Sequence, residues 1–296
     1  MGKNLVIKST GSWYDVLDIA SQEVVKCRLR GSLRLGSSRA TNPVVVGDAV
    51  VMDGDAIVSV EPRRNYIIRR ASNLSCQSHI IAANIDGVYI ITTLGAPPTS
   101  PEFIDRVLVT AECYGIPSTI VINKCDINFE DTLTSIYEQA GYKVLRVSAL
   151  SGDGIDELRE RIKGQTVLLT GNSGVGKSTL INAIDSSLTL RTGIISQANN
   201  RGKHTTTFSE IFPFAGGYLI DTPGIKGFGL IDIPPEQISH YFPDIMRFSP
   251  QCGYYNCTHT HEPKCAVIKA VASGYVNESR YESYLKMLEQ DNVKYR

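Results

Sequence analysis

The first part of the chain is written in short runs where apolar and polar positions alternate: Asn4 to Ile7, Trp13 to Val16, Val24 to Leu29, Val44 to Met52 and Ala56 to Val60. Asn42-Pro43, Gly47-Asp48 and Asp53-Gly54 break them up. A period of two between turn residues predicts strands, and five such strands close together predict a small all-β barrel of the OB-fold type. Residues 63–80, with Arg63, Arg64, Arg69 and Arg70 ahead of Ser and Asn, read as a polar connector. A different period follows. Asp86 to Thr93, Ser118 to Ile122, Lys143 to Ser148 and Thr166 to Thr170 predict buried strands. Helical spacing predicts helices over Pro101 to Tyr114, Glu130 to Ala140 and Gly154 to Ile162 between them. Strands alternating with helices predict a parallel sheet covered on both faces. Two further strands are expected at Phe208 to Phe214 and Gly217 to Ile220, and helices at Pro234 to Tyr241, Ala266 to Ser273 and Asn277 to Gln290. In the last of these, Tyr281, Tyr284, Leu285 and Leu288 form one stripe, most simply core. The expected division is a barrel over 1–70, an α/β domain over 71–230 and a helical domain over 231–296.

Composition narrows the class. The 296 residues suffice for two or three domains, and 30 Lys and Arg balance 30 Asp and Glu, so no global basic field points to nucleic acid. Residues 1–70 hold eleven Lys and Arg against seven Asp and Glu, a local excess of four. No stretch approaches the roughly 18 apolar residues of a membrane span, and the N-terminus lacks the plan of a signal peptide. A cytosolic protein is expected. Of seven cysteines, three fall within residues 252–265, and in a reducing compartment such a cluster favours metal over disulfide.

The chemistry centres on Gly171, Asn172, Ser173, Gly174, Val175, Gly176, Lys177, Ser178 and the following Thr179. The spacing G-x-x-x-x-G-K-S between a strand and a helix is what a phosphate-binding loop needs. Its glycines turn backbone N–H groups onto the phosphates, and the helix N-terminus adds positive potential. Lys177 is expected on the β- and γ-phosphates and Ser178 on magnesium. Asn123, Lys124, Cys125 and Asp126 follow a strand directly. A carboxylate there accepts from guanine N1–H and its exocyclic amine, with Asn123 and a backbone N–H near Ala149 expected to face O6, and Ser148-Ala149-Leu150 suits the companion base loop. Asp221, Thr222, Pro223 and Gly224 then supply a carboxylate for a magnesium-bound water and an N–H for the γ-phosphate. A threonine of the preceding segment, Thr206 or its rival Thr205, would complete the magnesium shell. The order is unusual, because the base-reading loops precede the phosphate loop: the chain is circularly permuted relative to Ras-like GTPases.

Cys252, Cys257, His259 and Cys265 offer three thiolates and an imidazole, a closed tetrahedral set that suits one structural zinc ion; His261 is the spare. Arg28, Arg30, Arg34 and Arg39, on one barrel strand and its loop, suit RNA, although a solvated face or a protein-docking module fits the segment too.

Together these motifs resemble the bacterial ribosome small-subunit-dependent GTPase A family. The likeness runs through A-A-N-I-D at 82–86, N-K-C-D at 123–126, G-N-S-G-V-G-K-S at 171–178, K-H-T-T-T at 203–207, D-T-P-G at 221–224 and C-T-H-T-H-E-P-K-C-A-V at 257–267. What the resemblance implies is a late-acting maturation factor that binds the 30S subunit and its 16S rRNA and hydrolyses GTP there. Ile225 stands where many GTPases carry the glutamine that orients the attacking water, so hydrolysis by the protein alone should be slow. The resemblance suggests His204 for the missing contact. A nucleotide-gated switch with negligible hydrolysis is the alternative, and nothing in the sequence asks for more than a monomer.

Overall fold

In a computed structural model, residues 4–10, 12–31, 43–70, 78–95, 97–186, 210–221 and 233–294 are described. In chain order the strands and helices are β1 (Asn4–Ser9), β2 (Tyr14–Asp18), β3 (Val24–Leu29), β4 (Ala49–Asp53), β5 (Ala56–Val60), β6 (Tyr66–Arg70), β7 (Ser78–Ala83), β8 (Gly87–Thr92), α1 (Pro101–Cys113), β9 (Ser118–Ile122), α2 (Thr134–Ala140) and β10 (Lys143–Arg146). Then come α3 (Ile155–Ile162), β11 (Thr166–Thr170), α4 (Lys177–Ile184), β12 (Glu210–Phe214), β13 (Gly217–Asp221), α5 (Pro243–Met246), α6 (Ala266–Ala272) and α7 (Glu278–Lys294). Two compact units share the chain. One holds Met1–Val88, Ile155–Thr170 and Lys177–Lys226; the other holds Tyr89–Gly154, Gly171–Gly176 and Gly227–Arg296.

In the first unit, β1 pairs with β2 and β2 with β3, all antiparallel; β3 runs parallel to β5, β5 antiparallel to β4, and β4 returns to β1. This closes a five-stranded barrel, as the alternation predicts, and closure leaves it no edge to protect. Val6, Tyr14, Val16, Cys27, Val44, Val50 and Ile57 fill it, each buried aliphatic side chain contributing about 1.5–3 kcal/mol. The run Val44 to Met52 is not one strand. Gly47 takes φ +88°, and the Asp48 carboxylate accepts from Val45 N–H, so Val44, Val45 and Val46 are buried in a turn and the strand starts at Ala49.

The expected connector over residues 63–80 contains β6 and β7, an antiparallel pair in which Tyr66 faces Ala83 and Arg70 faces Ser78. The arginines around Ile67 mask the alternation, yet Ile67 is fully buried. Beyond the barrel, β1 also pairs with β12, where Lys8 faces and salt-bridges Glu210. β12 and β13 form a hairpin whose two turn residues, Ala215 and Gly216, both have positive φ, the turn that matches strand twist. β13 runs parallel to β11. The sheet is therefore mixed rather than wholly parallel.

In the second unit β10, β9 and β8 lie side by side, β10 and β9 parallel. Helix α1 begins at Pro101 after Ser100, whose hydroxyl accepts from Phe103 N–H, and its buried Ile104, Val107, Leu108 and Ala111 recur at helical spacing. Helix α2 starts later than Glu130 because the Asp131 carboxylate takes the N–H groups of Leu133 and Thr134 and ends the loop there. Pro235–Tyr241 winds as a 3₁₀ turn, not an α-helix, with no side chain capping its start. Ile238, Phe242, Ile245, Val267, Val276, Tyr284 and Met287 pack with Val109 of α1 into one apolar cluster, which joins the C-terminal helices to the α/β part of this unit.

Candidate nucleotide site and metal centre

The base-reading and phosphate loops are cross-braced. The N–H of Asn123 donates to the carbonyl of Thr92, fixing the motif at the ends of β8 and β9. Asn123 then uses both ends of its side chain: Nδ2 donates to Val175 O at 2.9 Å and Oδ1 accepts from Ala149 N at 3.1 Å. Asn123 is a strut that ties residues 171–176 to the Ser148-Ala149 turn. Lys124, at φ +65°, lays its stem toward the phosphate loop and donates from Nζ to Gly174 O at 2.8 Å. Gly176 must be glycine twice over. Its φ is +88°, and a Cβ there would sit 2.6 Å from Asn123 Nδ2.

Asp126 is exposed, and its Oδ1 accepts from the Ser148 hydroxyl at 2.6 Å. The same hydroxyl accepts from the N–H groups of Leu150 and Ser151. The Asp126 carboxylate is thus held in place by a hydroxyl that is itself fixed by two backbone N–H groups.

Gly171, Asn172, Ser173, Gly174, Val175 and Gly176 form the loop, with Val175 fully buried, and Lys177 opens α4. Burial lowers the Lys177 pKa. Ser178 and Thr179 lie exposed on the first turn of α4. Asp221 ends β13. His204, Thr206, its rival Thr205, and Gly224 lie outside the described residues, as do Arg34 and Arg39 of the barrel loop. Of the barrel arginines that are described, Arg28 lies 3.8 Å over the Trp13 ring, with Lys26 at 5.6 Å from the same ring. Arg30 pairs at the surface with Asp53.

A separate centre lies in the C-terminal segment. The ligand atoms of Cys252, Cys257, His259 and Cys265 all fall within 4.8 Å of one another. Cys252 Sγ is 3.9 Å from Cys265 Sγ, and His259 Nδ1 is 3.6 and 3.5 Å from those two sulfurs. A tetrahedral zinc ion with ordinary Zn–S and Zn–N bonds needs donor separations of about 3.5–3.8 Å, so the set fits that ion. His259 Nε2 faces the Ser249 hydroxyl at 2.9 Å, which orients the ring and leaves Nδ1 for metal. Burial, and then the neighbouring thiols of Cys265 and Cys252, push the Cys257 thiol up to about 12, whereas burial lowers the His259 pKa and keeps its imidazole neutral. The Tyr281 and Tyr284 hydroxyls hold the carbonyls of His259 and Thr258, both at 2.6 Å. The stripe expected as plain core therefore also buttresses the metal loop. His261 is exposed and pairs with the Thr260 hydroxyl, apart from the four.

Sequence reasoning missed the buried cation nearby. Arg280 of α7 bonds Asp105 of α1 at 2.6 Å and Asp244 of α5 at 2.7 and 3.0 Å, with all three side chains at most 2% exposed. The rings of Phe242, Tyr142 and Tyr137 surround its guanidinium at 4.9–5.6 Å. Helical spacing marks Arg280 only as one more position on α7, and its partners lie 36 and 175 residues away.

Among the described residues, no helix is long and apolar enough to cross a membrane. The chain matches the RsgA N-terminal domain over residues 3–56 and the RsgA GTPase family over residues 60–231. The small ribosomal subunit biogenesis GTPase RsgA of Bacteroides fragilis is 52% identical over 99% of both chains, and that of Phocaeicola vulgatus 51% identical over the same shares. Among solved structures, YjeQ from Thermotoga maritima superposes with a TM-score of 0.76 at 34% identity over 98% of both chains. YloQ, described as a circularly permuted GTPase, gives a TM-score of 0.75 at 28% identity over 99% of this chain and 96% of that one. On these matches, which span nearly the whole chain, it belongs to the RsgA GTPase family and is a GTP hydrolase.

Proposed function

We propose that this protein binds the small ribosomal subunit late in its assembly, in the cytoplasm and as a monomer, and hydrolyses GTP there. The observation that carries the reading is the cross-braced base site of Asn123, Asp126, Ser148 and Ala149, in a chain half identical over its full length to GTPases named for small-subunit biogenesis. Asp126 reads guanine, and Gly171 to Gly176 with Lys177 and Thr179 hold the phosphates. Ser178, Thr206 and Asp221 serve magnesium, and Gly224 meets the γ-phosphate. Ile225 cannot orient a water, so subunit engagement sets the rate by positioning His204. The barrel, taken as 1–70, contacts 16S rRNA through Arg28, Arg30, Arg34 and Arg39. Stacking of Arg28 and Lys26 on Trp13 supports this, since cations beside an aromatic plane suit unpaired bases. The GTPase domain occupies 71–230, and residues 231–296 form a zinc-stabilised docking domain.

Purified protein assayed with and without saturating 30S subunits at matched salt is expected to show at least ~10-fold faster GTP turnover with them, and none of that gain with 50S subunits. A rate indifferent to 30S subunits sinks the reading. Zinc is tested separately. Cys257→Ser is expected to lower bound zinc from about one equivalent to near zero and to loosen the C-terminal segment, by elemental analysis and limited proteolysis. Full zinc content in the variant would remove Cys257 from the ligand set.

A further inference from the structure

Residues 82–86, A-A-N-I-D, carry a dense set of hydrogen bonds. On one side they grip the barrel. Ala83 N–H donates to Val46 O at 3.0 Å, and Asn84 Nδ2 donates to Gly47 O at 2.9 Å. The approach is so close that a Cβ on Gly47, at φ +88°, would lie 2.1 Å from Ala83 O. The neighbouring Asp48, fully buried, clamps the same turn through both oxygens to Arg63, at 2.7 and 2.8 Å.

On the other side the motif grips β11. Asp86 N–H donates to Thr166 O, and Thr166 N–H donates to Asp86 Oδ2, both at 2.8 Å. Arg64 joins the two halves: its N–H donates to Asn84 Oδ1 at 2.9 Å, and its Nη2 reaches Asn84 O at 3.2 Å and Asp86 Oδ1 at 2.6 Å. Asn65 pairs with the Ile85 backbone in both directions at 2.8 Å, leaving the link little slack. An unbroken hydrogen-bonded path therefore runs from barrel backbone through Asn84, Arg64 and Asp86 to Thr166. Thr166 starts β11, and the phosphate loop is the next five residues' continuation at Gly171. β11 pairs in parallel with β13, which ends at Asp221.

Asn84 itself argues for this role. At φ +57° it occupies a backbone region that favours glycine, and what glycine lacks is the side chain that bonds Gly47 and Arg64 at once. A misplacement of about 1 Å at a reacting centre costs up to about 10²-fold in rate, so a load delivered to the first residue of the strand that leads into Gly171 bears on the reaction geometry.

We infer that Asn84 and Asp86 are positioning residues that transmit docking of the barrel to β11, and thereby set the subunit-stimulated rate of GTP hydrolysis. The inference rests on the proposed function. The link carries a two-site coupling: the barrel senses a ribosomal surface, and the phosphate loop responds.

The test uses full-length Asn84→Gly, which accepts the positive φ and deletes both side-chain bonds, beside Asp86→Asn, which keeps an acceptor for Thr166 N–H and loses the charged pair with Arg64. Turnover without subunits and the KM for GTP are expected to stay within about twofold of wild type, while kcat with saturating 30S falls about 5- to 10-fold in Asn84→Gly and by less in Asp86→Asn. Subunit affinity is expected to hold, because neither residue belongs to the docking surface. If both variants are stimulated like a stimulated wild type, the coupling alone is wrong. If basal and stimulated rates drop together with lowered melting temperatures, the motif is a structural joint and the inference fails. A wild type that subunits do not stimulate overturns the proposed function, and the coupling with it.

Discussion

Asp126→Asn is expected to invert base selectivity: GTP affinity falls by about 10³-fold or more, and xanthosine triphosphate becomes the better ligand. The carboxylate presents only acceptors, which match guanine's two donors, N1–H and the exocyclic amine. Asparagine presents one acceptor and one donor, which match the N1–H and the 2-oxo group of xanthine. The aim of the side chain survives the change, because Ser148 Oγ, 2.6 Å from Asp126, rotates its proton to suit an amide, and its acceptance from Leu150 and Ser151 N–H is unaffected. Asn123 still spans Val175 and Ala149, so the phosphate loop keeps its place and phosphate affinity is retained. Calorimetric titration with both nucleotides checks the result. A variant with ordinary GTP preference would remove Asp126 from the base-reading role and leave the strut as the motif's main work.

The same site shows what a sequence discloses. Spacing alone locates Asn123 to Asp126 and Gly171 to Ser178, because each motif is a local requirement of backbone shape and charge at one strand end. Their mutual bracing is not local. That Asn123 braces Val175 and Ala149 depends on partners 52 and 26 residues further along the chain. The barrel was legible because period-two alternation survives within β1, β2, β3 and β5. β6 and β7 were hidden because arginines flank the buried Ile67, and the eye reads charge as loop. The clustering of Cys252, Cys257, His259 and Cys265 was legible, since thiols and imidazole at that spacing have few other uses in a reducing compartment. The second task of Tyr281 and Tyr284, holding the metal loop's carbonyls, was not, because a tyrosine's apolar body gives the same helical stripe whether or not its hydroxyl has work. A-A-N-I-D reads only as a family likeness in sequence. Its hydrogen bonds to the turn at Gly47 and to Thr166 at the start of β11 span 37 and 80 residues, so spacing does not reveal them.

Arg280→Met is expected to be the most destabilising single change in the C-terminal segment, costing about 3–5 kcal/mol. Methionine preserves much of the volume among Phe242, Tyr142 and Tyr137, so the loss is electrical rather than a cavity. It strands Asp105 and Asp244, whose side chains are 0% and 2% exposed, without the cation that compensates them. Burial raises the Asp105 pKa and the Arg280 charge pulls it down; without Arg280 only the upward push remains. The sign of the pH dependence follows. A carboxyl whose folded pKa lies above its unfolded value near 4 binds protons more readily when folded, so its stability contribution is present below that value and is lost as pH rises through the folded pKa. The variant's deficit against wild type should therefore be largest near pH 8 and shrink on acidification toward pH 5. Because Asp105 belongs to α1, Asp244 to α5 and Arg280 to α7, the effect should appear as early loss of amide protection in α7 and at its contact with α1. Thermal melting and hydrogen exchange at both pH values decide it. A loss under about 1 kcal/mol would mean that water reaches the two carboxylates once the arginine is gone, and a deficit that grew on acidification would mean that they are not the source of the cost.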